Sequence, residues 1–66
     1  MFEEAVSTLT AVLVYAPQNA QSYYLRGKAF ECLNEYKMAL GDMLRAKELL
    51  TGPMASHVAE IIEELE

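Results

Sequence analysis

Basic side chains are scarce in this chain: five Lys and Arg stand against ten Asp and Glu over 66 residues, a formal net charge of −5. No stripe of cations runs along any segment, so the attraction to a phosphate backbone that drives nucleic-acid binding is missing, and no nucleic acid is expected as a partner. Long apolar runs are absent too. The longest, Ala11 to Pro17, falls far short of the roughly 20 residues a membrane span needs. Glu3 and Glu4 stand where a secretory leader would carry basic residues, so the expected setting is cytoplasmic, with no membrane partner. Cysteine is reduced to Cys32, which excludes an internal disulfide and fits a reducing compartment. Histidine is reduced to His57. Neither residue has companions at the close spacing of a three- or four-ligand metal site, and no nucleophile turn or paired-acid motif lies nearby. The chain is expected to be no enzyme and to hold no metal and no cofactor.

Prolines are few, and both fall between apolar-patterned segments. Pro17 disfavours helix at Ala16, and Pro53 follows Thr51-Gly52. The pattern predicts an all-α chain of four helices: about Phe2 to Tyr15, a second capped by Asn19 and ending near Leu33, about Tyr36 to Leu50, and Pro53 to Leu65. Asn19 offers an N-cap oxygen, Asn34 a left-handed residue past the second helix, Gly52 the residue that terminates the third, and Pro53 the opening of the fourth. Turns this short make neighbouring helices antiparallel. Met54, Val58, Ile61, Ile62 and Leu65 recur at helical spacing and mark one face of the fourth helix for burial. Glu60, Glu63, Glu64 and Glu66 crowd its C-terminal end, where the macrodipole disfavours anions. That end is expected to fray or to meet a basic partner.

Phe2, Ala5, Leu9 and Val12 return thirty-four residues later as Tyr36, Ala39, Met43 and Ala46. A fixed period of this length marks a helix–turn–helix repeat, a unit that cannot bury its apolar face alone and stacks on neighbours. Tyr23, Gly27, Phe30, Ala39, Met43 and Ala46 fall at the spacings of a tetratricopeptide repeat (TPR), and residues 2 to 53 resemble that family. Arg26 replaces the usual Leu, and Thr51 stands where Pro is usual, with Pro53 two residues late. The resemblance implies antiparallel helix–turn–helix repeats, a TPR-like α-solenoid fragment: a half repeat over 1–19 contributing its second helix only, a full repeat over 20–53 and a capping helix over 54–66. A repeat lacking its first helix suggests a fragment, a short isoform or an engineered piece.

The resemblance also implies a non-catalytic scaffold or adaptor that binds a peptide or helix of another protein on its concave face. In this sequence that face comprises Gln21, Tyr24, Lys28, Glu31 and Cys32, with Gln18 and Asn19 at the loop. Tyr24 offers a flat apolar contact and a hydroxyl, Lys28 a point charge, and Gln21 and Asn19 amide hydrogen bonds. Lys28 and Glu31 read equally well as a solvated i,i+3 pair. Some family members grip the acidic tail of heat-shock chaperones with Lys, Asn and Arg side chains spread over three repeats. This chain has no third repeat, and Leu25 stands where the middle one would want Asn.

Size supplies a second hypothesis. A chain of 66 residues buries only roughly 60% of the surface its unfolded form exposes, and a core this small yields about 3–5 kcal/mol. The apolar arc of the first helix, centred on Val6, Leu9 and Leu13, is expected to lie open and to support self-association, with the superhelix completed by homo-oligomerisation through that arc and the apolar stripe of the fourth helix. In the full repeat, Gly27 and Ala39 mark a close helix approach. Tyr23, Phe30, Leu33, Tyr36, Leu40, Met43 and Leu44 are expected to fill the rest of the core.

Overall fold

The computed structural model describes all 66 residues and is all-α: α1 Phe2–Tyr15, α2 Ala20–Cys32, α3 Tyr36–Leu49 and α4 Pro53–Leu65. No helix is long and apolar enough to cross a membrane. Local chemistry sets the boundaries. The Asn19 side chain accepts the Ser22 backbone N–H at 3.0 Å and caps α2. Asn34 adopts φ 61° after α2, and its N–H reaches the Glu31 carbonyl while that of Glu35 reaches Phe30, the paired closure of a Schellman turn. Gly52 behaves differently from the expectation. Leu50 already leaves α3 in extended conformation, and Gly52, at φ 72° and ψ −151°, is the N-cap of α4. That backbone region is open essentially to glycine alone, so the glycine aims the chain into α4 rather than terminating α3. Pro53 occupies the first turn that follows.

Each helix packs on the next, α1 on α2, α2 on α3 and α3 on α4, in a slab of 27 × 25 × 15 Å. Arg26 meets Asp42 while Tyr23 meets Arg45, so α2 and α3 run antiparallel. They approach closely at Gly27, where an added Cβ would lie 2.9 Å from Met43 Cε and 3.3 Å from Asp42 Cβ. The main buried cluster is Met43 and Ala46 of α3 with Val58, Ile61 and Ile62 of α4, flanked by Tyr23, Tyr24, Leu40, Leu50 and Leu65, and Leu13, Ala29 and Ala39 are buried as well. The buried face expected of α4 is therefore present, and α4 runs to Leu65 despite its glutamates.

Three expectations need correction. Tyr36 and Leu44 are about half exposed rather than core. Leu44 points away from the Ala39, Met43 and Ala46 side of α3, the only side that α2 and α4 cover, and Tyr36 lies in the first turn with its hydroxyl donating to Asn34 Oδ1 at 2.8 Å. The arc of α1 centred on Val6, Leu9 and Leu13 is not open: Leu13 is buried and the other two are half-buried, because α1 uses this side to pack within the chain. What α1 leaves exposed is Phe2, Val12, Val14 and Tyr15. The stripe of α4 is likewise consumed inside the chain, through Val58, Ile61 and Ile62, and is not free to pair with copies.

A bidentate ion pair ties the helices together. Arg26 Nε and Nη2 donate to the two Asp42 oxygens at 2.8 and 2.7 Å, and Nη1 donates to Thr10 Oγ1 at 3.1 Å. One guanidinium thus joins α1, α2 and α3. It also lies 5.7 Å from the Tyr23 ring centroid and 5.9 Å from that of Phe30. The hydrogen bond to Asp42, opposed by desolvation and aided by the Asp42 charge, raises the Arg26 pKa above its ordinary value.

Candidate functional site

The seam between α2 and α4 is built by the pairing of α3 with each of them. Tyr24 Oη lies 3.2 Å from His57 Nε2, their rings 6.0 Å apart. Gln21 and Met54 line one cavity, and Glu31 and Glu64 line another. All three pairs are offset by thirty-three residues, which fixes α2 and α4 as parallel and in register along one face.

The first cavity, about 320 Å³, is formed by Gln21, Tyr24 and Leu25 of α2, Leu50 past the end of α3, and Met54 of α4. Its walls are mostly apolar, and Leu25 and Met54 are more than two-fifths exposed. A flexible Met beside an aromatic and a Leu adapts its shape to an inserted side chain. The Tyr24 hydroxyl, the His57 ring and the Gln21 amide supply polar groups along the rim. The arrangement suits capture of one large apolar side chain with hydrogen bonding to the backbone that carries it.

The expected site residues divide. Gln21 and Tyr24 stand together in the apolar cup, and Glu31 lines the second cavity. Lys28 lies between them on α2 with its Nζ 3.4 Å from Glu31 Oε1. Gln18, Asn19 and Cys32 line neither cavity: Gln18 is exposed in the turn, Cys32 is exposed at the end of α2, and the Asn19 oxygen is committed to the helix cap. Leu25, Leu50, Met54 and His57 complete the cup and its rim without having been anticipated. Their signal in the sequence is weak, since Leu25 is merely the neighbour of Tyr24 and Met54 reads as part of the buried stripe of α4.

Comparison with protein-family models, curated protein sequences and solved structures found no match for this chain.

Proposed function

We propose that the chain is a non-catalytic protein-interaction module of TPR type, a scaffold or adaptor whose α2–α4 seam docks a peptide or helix of another protein. The observation that carries this reading is the apolar cup of Gln21, Tyr24, Leu25, Leu50 and Met54, open at the surface and rimmed by hydrogen-bonding groups. The thirty-four-residue recurrence supports it, because stacked helical pairs present a face of this kind. Selection of a peptide library against the full chain tests it, with Leu25→Glu as counter-target. Leu25 is 45% exposed, so the substitution leaves the fold within about 0.5 kcal/mol while placing a charge in the cup. Peptides that bind the parent and not the variant are expected; a selection in which no peptide separates the two sinks the proposal.

A second reading, self-association, is favoured by the exposed apolar side chains of α1, namely Phe2, Val12, Val14 and Tyr15. A homo-oligomer would cover them. Sedimentation equilibrium over a wide concentration range decides this: a monomer throughout removes the reading, and a species dispersed by Val12→Glu establishes it.

A further inference from the structure

The α2–α4 seam continues past the apolar cup. Seven residues on from Tyr24 and His57, Glu31 and Glu64 line a second cavity of about 410 Å³, with Tyr36 and Leu65 as its other walls. Seven residues of helix advance about 10 Å, so the cup and this cavity stand about that far apart along the same two helices, one apolar and the other acidic.

The acidic end has one exposed cation beside it, Lys28. Neither α2 nor α4 carries a basic residue in its last turn, and both helices present there the partial negative charge of their C-termini. Glu31 Oε1 is occluded and accepts no hydrogen bond. Its nearest cation is Lys28 Nζ at 3.4 Å, on a side chain 48% exposed, a surface pair contributing less than about 1 kcal/mol that an incoming cation can share or displace. The Tyr36 hydroxyl is anchored to Asn34, which holds a half-exposed ring at the rim, and an aromatic face attracts a cation.

Resting on the docking role of the seam, we propose that its ligand is a cationic-apolar peptide segment of another protein, with a large apolar side chain in the cup and an arginine between Glu31 and Glu64. Arginine suits the acidic end better than lysine because its planar fork pairs with carboxylates in two-point fashion and stacks on a ring. A segment in polyproline II conformation rises about 3.1 Å per residue with about three residues per turn, so two side chains three positions apart share one face and match this spacing. An acidic segment meets repulsion at the same place.

Three capped peptides in a Gly/Ser background, titrated into the full, isotope-labelled chain and followed by amide NMR shifts, test this. The first carries leucine and arginine three positions apart, the second glutamate in place of the arginine, the third serine in place of the leucine. The first is expected to shift the amides of Leu25, Met54, Glu31 and Glu64 together and to bind about tenfold more tightly than the second, the ratio given by about 1.4 kcal/mol of charge discrimination. Glu64→Lys, at an exposed position, should erase that preference with the melting curve unchanged. Equal binding of the first two, with shifts confined to the cup, overturns the charge selectivity and leaves the docking role standing. Equal binding of the first and third overturns the two-point ligand in favour of bulk attraction to an acidic chain. Shifts at neither end with any peptide remove the docking role itself.

Discussion

Replacing Asp42 by Ala leaves the Arg26 guanidinium facing the core without its carboxylate. The side chains of this pair are only 19% and 8% exposed, so most of the solvation that would compensate the charge is gone. Breaking a buried pair by removing one member costs about 3–5 kcal/mol; the residual exposure of Arg26 and its bond to Thr10 put Asp42→Ala at the lower end, about 3 kcal/mol. A domain of this size has only about 3–5 kcal/mol in total, and each kcal/mol displaces its thermal midpoint by about 4–8 °C. Asp42→Ala is therefore expected to lower the midpoint, followed by circular dichroism at the helix band, by about 12–24 °C. Replacing both members by apolar residues of similar volume, Arg26→Met with Asp42→Leu, removes the charge and its desolvation together. That double variant should be more stable than Asp42→Ala alone, because a buried pair exchanged for good packing is often neutral. A double variant as unstable as the sum of its single substitutions would refute the reasoning and assign the residues to packing alone. Because the Arg26 pKa is raised, the stabilisation from its charge is present in full below the ordinary arginine range and fades only as pH rises through the folded-state value. Melting curves from neutral to moderately alkaline pH should show no step from this group.

Ala39→Leu, at a fully buried position whose backbone carbonyl lies near Gly27, should overpack the α2–α3 contact and lower stability by about 1–3 kcal/mol; a thermal midpoint that does not move would count against this close approach. Asn19→Ala removes the one side-chain cap of α2 and should cost about 1 kcal/mol, read as a lower urea midpoint at constant slope. Leu13→Glu and Val12→Glu differ by one position and should differ in kind: the first, at a buried site, unfolds the chain, and the second, at a site 37% exposed, leaves it folded. Circular dichroism of both variants at equal concentration checks this, and equal helix loss would contradict the orientation of α1.

The helix boundaries are legible in the sequence because the residues that set them act locally. Asn19 needs only the N–H three residues ahead, Asn34 only the carbonyls just behind it, and Pro53 only its own ring. Gly52 shows where local reading stops: glycine between two helices announces an unusual backbone angle without saying which helix it serves. Arg26 shows a second limit. As the residue standing where the repeat pattern has Leu, it is marked as unusual, and Asp42 is marked too, a polar residue among Ala39, Met43 and Ala46. That the two marks are halves of one bidentate pair depends on α2 and α3 meeting in a particular register. The cup is still less visible, since Leu25, Leu50 and Met54 come from three parts of the chain and converge only after α3 has packed against α4. Gln21 and Tyr24, by contrast, share a helix face by their spacing alone.

One apolar pattern, met twice, has two outcomes. Ala39, Met43 and Ala46 of α3 are fully buried, whereas their counterparts thirty-four residues earlier are not: Ala5 and Leu9 are half-buried and Val12 is 37% exposed. The side chains in α1 are no less apolar than those in α3. The difference is in neighbours: α3 lies between α2 and α4, and α1 packs mainly on α2. Periodicity therefore reports which face of a helix gains by being covered and is silent about what covers it. The same reasoning separates the two candidate surfaces. On α1 the exposed apolar groups, Phe2, Val12, Val14 and Tyr15, share the helix with exposed Glu3, Glu4, Ser7, Thr8 and Thr10 and form no cavity, so they select no particular occupant. Along the α2–α4 seam an apolar cup and a pair of carboxylates stand a fixed distance apart, and under the proposed docking role that combination would select a ligand by both shape and charge.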